Sequence, residues 1–222
     1  VTYDNKLRVK ILKDTGVGYA NIDIVYLNDE KDSKIFDELD RVKVTVFSQN
    51  EKGKISRRYL KNETFTTDRL DAHYKVLHIR VPEAKKGDII EYQYAITSSR
   101  TAFLYDCSFQ EDIPVLYAKC EMNIPAFLQF DMAVPVHPYV KSKVERGAIH
   151  GEQSQGDMQA PKSYPSNHYQ IEGHDILPTL LDVKRENFDP SKMKVAAKIK
   201  SAGAMQPVGL PEGVKHIVIN AK

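Results

Sequence analysis

The chain predicts an all-β fold, a large antiparallel β-sandwich with few short helical turns, and three observations carry that expectation. Apolar residues alternate with polar ones over short runs through most of the sequence, the period of two that places every second side chain on one face of a strand. Clusters of Asn, Asp and Gly separate the runs, supplying the local hydrogen bonds and positive φ that turns need. At 222 residues the chain is long enough to bury a core without metals or cross-links.

Taken in order, Leu7, Val9 and Ile11 alternate with polar neighbours, as do Ile22, Ile24 and Tyr26 apart from the intervening Val25, then Val42, Val44 and Val46, then Leu77, Ile79 and Val81. Turn signals fall at residues 14–18, 50–53 and 85–88. Ile35, Phe36 and Leu39 have helix-like separation, so residues 33–39 are expected to make a short helical turn. The clearest pattern is residues 87–125, GDIIEYQYAITSSRTAFLYDCSFQEDIPVLYAKCEMNIP. Ile90, Tyr92, Tyr94 and Ile96 fall on one face and Glu91, Gln93 and Ala95 on the other, which reads as a half-buried strand of a hairpin closed by a polar, proline-containing turn.

Leu128, Phe130, Met132 and Val134 continue the alternation until Pro135 and Pro138 break it. Residues 145–167 are rich in Gly, Gln, Ser and Pro and read as a loop-rich insertion or an irregular hairpin tip. Further strands are expected at 169–171, 193–199 and 216–219, with a Pro/Gly-containing segment at 203–213. The whole of 1–222 is expected to form a single domain, and a last strand so near Lys222 reads as a fragment of a longer protein cut at a linker.

Charge excludes one class of partner. Lys and Arg number 32 against 30 Asp and Glu, a formal net charge of +2, far from the basic excess of a nucleic-acid binder. The charges are interspersed: Lys192, Lys194, Lys198 and Lys200 alternate with Met193, Val195, Ala197 and Ile199, as on a solvent face. No apolar run is long enough for a transmembrane helix. The chain begins at Val1, which suggests a trimmed leader and an exported protein.

Cys107 and Cys120 flank the turn around Asp112, Ile113 and Pro114. Hairpin geometry would bring them onto one face as opposed or diagonal neighbours, and a disulfide and a pair of small buried thiols both fit. Neither cysteine has a helix N-terminus or local basic partner in the sequence to make it a nucleophile. His168 and His174, with His137 and His150 upstream, are the nearest approach to a metal set, and scattered surface histidines explain them more simply. His73 and His78, five apart, fall on opposite faces of an extended segment. Gly16 and Gly18 make only a GVG turn without the lysine or helix of a phosphate loop. Asn62, Glu63 and Thr64 spell a glycosylation sequon of a kind that is common by chance. With no Trp, sugar stacking would rest on the 12 Tyr and 8 Phe, most of them at alternating strand positions where packing is the plainer role. No catalytic residue, cofactor or metal is expected.

Three stretches carry a family resemblance: GDIIEYQY, FQEDIPVLYAKCEMNIP and ILPTLLDVKRENFDPS. Together they resemble the signature of a β-rich domain of unknown function that precedes a transglutaminase-like cysteine-peptidase domain in many exported bacterial proteins. The matching positions are Gly87, Glu91, Tyr92, Phe109, Gln110, Ile113 and Pro114, then Leu177, Pro178, Glu186 and Pro190. The resemblance implies a saddle-like β-sandwich similar to the N-terminal domain of zinc aminopeptidases. It also implies export to the periplasm or cell surface, and an accessory role beside a downstream transglutaminase-like domain of the same protein. The family's Cys, His and Asp triad belongs to that downstream domain, so no catalytic residue transfers to this chain.

Two functions of different class are therefore weighed. One is a noncatalytic module that packs against, orients or presents substrate to the cysteine-hydrolase domain. The other is a stand-alone module for extended peptide or glycan. The candidate binding surface is Tyr139, Tyr164, His168 and Tyr169, amphipathic groups in or beside the loop-rich region.

Overall fold

The computed structural model describes residues 1–28, 36–61, 64–100, 104–150, 163–179, 193–202 and 218–221. Among the described residues the chain is all-β, with antiparallel pairing in every register observed and one short 3-10 helix, Asp14–Ala20. The strands are β1 (Thr2–Lys10), β2 (Ile22–Leu27), β3 (Asp37–Gln49), β4 (Ile55–Tyr59), β5 (Phe65–Arg69), β6 (Tyr74–Ile79) and β7 (Ile89–Ser98). They continue with β8 (Cys107–Ser108), β9 (Val115–Pro125), β10 (Leu128–Ala133), β11 (Val140–His150), β12 (Ser163–Ile176), β13 (Lys194–Ala202) and β14 (Val218–Ala221). The chain divides into two compact units, Asp4–Ser99 and a second made of Val1–Tyr3 with Arg100–Lys222.

In the first unit β1, β7, β3 and β4 lie side by side, and β2, β6 and β5 form a second sheet. Of the residues expected on the inner face, Val9, Ile24, Val44, Val46, Leu77 and Ile79 are buried, whereas Leu7 is 43% exposed and Thr45 and Val76, of the opposite parity, are buried as well. β7 departs from it. As an inner strand between β1 and β3 it buries Ile90 and Tyr92 fully and Ala95 almost so, and Glu91 keeps only 7% exposure, where a half-buried strand was expected. Glu91 is tolerated there because Arg8 and Lys6 of β1 reach it, Lys6 Nζ at 3.3 Å, and the Gln93 amide donates to it at 2.7 Å.

Two sets of hydrogen bonds fasten strand ends in this unit. Gly87 takes φ +94, a conformation that favours glycine. It donates its N–H to the Ile11 carbonyl at 2.8 Å, while Ile11 donates back to Asp88 at 2.9 Å. The buried Asp37 accepts the Leu27 N–H at 3.0 Å, tying the end of β2 to the start of β3. Residues 37–39 are thus strand and not the helical turn expected over 33–39, because the first residues of β3 pair with Ser98, Thr97 and Ile96 of β7; residues 33–35 lie outside the described residues. The helix instead occupies Asp14–Ala20, where a turn was expected, its bonds closing from Gly16 to Lys13 and from Asn21 to Gly18.

The second unit holds the order β11-β12-β9-β14 and a smaller sheet β10-β13-β8. The hairpin expected over 87–125 does not form: β7 pairs with β3, and β9 pairs with β12 and β14. Alternation identified both strands correctly, but pairing is decided by non-local partners that a local pattern cannot name. Residues 145–150 and 163–167, expected as part of a loop, are strand instead. β11 and β12 pair without a shift from Val140↔Gly173 to His150↔Ser163, leaving 151–162 outside the described residues. The strand breaks at Pro135 and Pro138 stand, since β10 ends at Ala133 and β11 begins at Val140. The expectations over 203–213 and at Asn62 and Glu63 likewise lie outside the described residues.

Candidate functional site

Residues directly opposite one another in an antiparallel pair share a face, so the registers sort β9, β12 and β11 into two surfaces. One carries Cys120, Met122 and Ile124 of β9 with Ile171 and Gly173 of β12, all buried. The other is polar. It carries Tyr117, Lys119, Glu121 and Asn123 of β9, then His174, Glu172, Gln170 and His168 of β12, and Lys141, Lys143 and Glu145 of β11.

Across this polar surface the charges interlock. Lys119 Nζ lies 2.8 Å from Glu121 and 3.4 Å from Glu172, and the Gln170 amide donates to Glu172 at 2.7 Å. The hydrogen bond to Glu121 holds the Lys119 ammonium above its ordinary pKa. The Gln170 amide, aided by Lys119, holds the Glu172 carboxyl below the usual range. Burial, reinforced by the Glu172 charge, pushes the Tyr117 phenol up. His168 Nε2 stands 4.0 Å from Glu121.

At one end of the surface the side chains become aromatic. The rings of Tyr117 and His174 meet at 4.9 Å between centroids, and the backbone N–H of His174 donates to the Tyr139 carbonyl at 3.1 Å. The His137 and Tyr139 rings lie 5.4 Å apart. Tyr117 and Tyr139 are each about half exposed, at 46% and 49%, so the edge of this strip faces solvent. Tyr117 was not singled out in the sequence, and His174 entered only among the scattered histidines; the signal that brings the two together is the β9–β12 register, which becomes visible only once the partners are known.

The four sequence candidates do not converge. Tyr164 and His168 share the polar face by parity, and Tyr139 borders it beside His174, roughly 34 Å along the strand from Tyr164 at about 3.4 Å per residue. Tyr169 falls on the opposite face, opposite Met122. His168 and His174 are likewise about 20 Å apart on β12 by the same rise, and among the described residues no group of three His, Cys, Asp or Glu could hold a metal ion.

Cys107 of β8 and Cys120 of β9 are joined as a disulfide, their Cα atoms 6.3 Å apart. Because β8 pairs with β13 and β9 with β12, the bridge links two sheets of the second unit, not two arms of a hairpin. The residues that carry the family resemblance also build scaffold. Phe109 is fully buried and donates its N–H to the Met193 carbonyl. The Gln110 amide donates to the Leu177 carbonyl at 2.9 Å, and Thr179 donates its N–H to Glu111 at 3.0 Å. Glu186 and Pro190 lie outside the described residues.

On the first unit a separate polar group centres on His78. Its Nδ1 lies 2.8 Å from Asp23 and its Nε2 3.3 Å from Asp68. Arg80 donates to the same Asp23 carboxylate at 2.6 Å, and that contact, with His78, holds Asp23 below the usual carboxylate range. Each of these side chains finds its partner within the group, so it reads as a self-contained polar network on the β2-β6-β5 sheet.

No curated protein matches the chain. Among solved structures the fold is shared with the crystal structure of a putative protease from Parabacteroides distasonis ATCC 8503, with a TM-score of 0.58 at 13% sequence identity. The match covers 88% of this chain and 39% of that one, so the shared fold is one part of a longer protein. The profile of the family described as a domain of unknown function with a solved structure, DUF3857, matches residues 1–158, and the chain belongs to that family.

Proposed function

We propose that this domain is a noncatalytic accessory module of a longer exported hydrolase, packing against or presenting substrate to a transglutaminase-like cysteine-hydrolase domain of the same protein. The observation that carries the reading is the fold shared with 39% of a chain described as a protease, which leaves the remainder of that chain to hold further machinery. The disulfide supports it, because a bridged Cys107 and Cys120 offer no thiolate. The bridge also fits an oxidising compartment. In this reading the polar face of β9, β12 and β11, with Tyr139 at its end, is the contact surface.

The test is to read the coding sequence past Lys222 and compare the parent protein's peptide hydrolysis with and without residues 1–222. A following Cys, His and Asp domain whose turnover of polypeptides drops when this module is removed is expected. A stop codon, or unchanged turnover, would overturn the proposal.

A second reading rests on the half-exposed Tyr117 and Tyr139 rings beside His174. Aromatic faces interleaved with Lys119, Glu172 and Gln170 match what an extended peptide or a glycan requires, stacking plus fixed polar groups. Peptide and glycan arrays probed with the chain and with Tyr117→Ala would separate the two, and a blank array would remove this reading.

A further inference from the structure

We infer that β11 is a self-association edge, and that two copies of this chain pair β11 with β11 antiparallel about a twofold axis at Val144. β11 stands at the end of its sheet order, and among the described residues no strand pairs with its outer side. It runs for 11 residues, paired to β12 without a bulge, and residues 141–148 are all exposed. Such an edge presents unpaired backbone groups that invite a further strand. Proteins commonly blunt edges of this kind with bulges, prolines or lysines, and β11 carries only the lysines.

Where those lysines sit selects the occupant. A twofold axis perpendicular to the sheet pairs residues of one face with each other. With the axis at Val144, Lys143 faces the partner's Glu145 and Glu145 faces the partner's Lys143, while Lys141 faces the partner's Gly147. Within one copy Lys143 Nζ already lies 2.6 Å from Glu145, so pairing closes a square of four alternating charges. On the opposite face Val144, 57% exposed, ends the row that runs through Tyr169 to the buried Met122. Pairing covers Val144 with its own counterpart and continues that row across both copies.

Neighbouring registers fail by the same arithmetic. An axis at Lys143 gains two Lys141–Glu145 pairs but sets two lysines directly opposite each other between them, and an axis at Glu145 sets two glutamates opposite each other with no compensating pair, whereas the axis at Val144 brings no like charges together. The lysines that deter an arbitrary strand therefore admit a second copy in one register. A free peptide, lacking the reciprocal pattern, gains only the backbone bonds.

Sedimentation velocity on the 222-residue chain tests this. The wild type is expected to dimerise at micromolar concentrations, and Lys143→Glu or Glu145→Lys to weaken dimerisation by about tenfold or more, through like charges brought directly opposite. An equimolar mixture of the two single variants is expected to recover the dimer as a heterodimer, since each then meets its complement. The double variant K143E/E145K is expected to dimerise like the wild type, which also shows that these exposed positions do not govern folding. A monomeric wild type, a dimer indifferent to the single reversals, or a mixture that stays monomeric would each overturn the inference.

Discussion

The hydroxyl of Tyr92, fully buried on β7, donates to the backbone carbonyl of Ala20 at the end of the 3-10 helix. That bond satisfies a carbonyl whose residue has no solvent exposure, and it fastens the helix to an inner strand from 72 residues away. Tyr92→Phe keeps the ring and removes the donor, so we expect a loss of about 1–2 kcal/mol, the cost of a buried acceptor left unpaired. Urea denaturation of the two proteins measures it. Equal stability would mean that the helix is held by packing alone.

The same burial raises the Tyr92 pKa well above that of a free phenol. A phenol whose folded pKa is raised stabilises the fold while it stays neutral, so its contribution is full below the unfolded value, about pH 10, and is lost as pH rises beyond it. Wild-type stability is therefore expected to fall through this alkaline range more steeply than that of Tyr92→Phe. Parallel pH profiles would show that Tyr92 does not drive the alkaline loss.

Glu91 works in the opposite direction. Burial raises its pKa, but the hydrogen bonds from Arg8, Gln93 and Lys6 outweigh burial and hold it below the usual carboxylate range. A carboxylate depressed in the fold contributes stability above its unfolded pKa and loses it as pH falls through the folded one. The double variant Lys6→Ala with Arg8→Ala strips the cations from a nearly buried charge and is expected to cost about 3 kcal/mol at neutral pH. It should also move the Glu91 titration upward in an NMR pH series. A titration that stays where it was would show that Gln93 alone sets the shift.

Much of this scaffold is legible in the sequence, because period-two alternation is local. Ile22, Ile24, Val44, Val46, Leu77 and Ile79 announce their strands without knowledge of their partners. What stays hidden is non-local. Nothing within residues 87–125 says that Glu91 will meet Arg8 and Lys6, or that β7 will choose β3 over β9. The Asp/Gly cluster at 14–18 serves a turn and a 3-10 helix equally well. For the candidate surface, the sequence singles out Tyr139, Tyr164, His168 and Tyr169 as lying outside the obvious alternation, yet β12 is a 14-residue strand, and strand parity sends Tyr169 to the other side from Tyr164 and His168. Tyr117 and His174 become neighbours only through the β9–β12 register.

The Cys107–Cys120 bridge closes a segment of 13 residues and links two sheets of one unit. Loop-closure entropy for a segment of that size predicts about 3 kcal/mol of stabilisation. Cys107→Ser with Cys120→Ser should lower the urea midpoint accordingly, and a reducing agent should lower the wild type alone. Mass spectrometry of unreduced peptides provides the direct check. Recovery of both cysteines as free thiols from protein kept under oxidising conditions would remove the bridge, and with it one support for an exported domain.

Of the described glycines in the second unit, Gly173 has the closest neighbours. A Cβ built there would stand 2.8 Å from Ile176 Cδ1, 3.0 Å from Phe109 Cδ1 and 3.3 Å from Val140 Cγ2. Phe109 and Ile176 are both fully buried, so neither can swing away without disturbing the core. Gly173→Ala is expected to destabilise by about 1–3 kcal/mol through overpacking. Gly147 supplies the control on the exposed edge strand β11, where the nearest atom to an added Cβ is the Ser166 hydroxyl at 3.3 Å. Gly147→Ala should stay within about 0.5 kcal/mol of the wild type, as surface substitutions usually do. If thermal denaturation ranked the two alanines the other way, the close approach of Phe109 to β12 would not be the contact that requires glycine at 173.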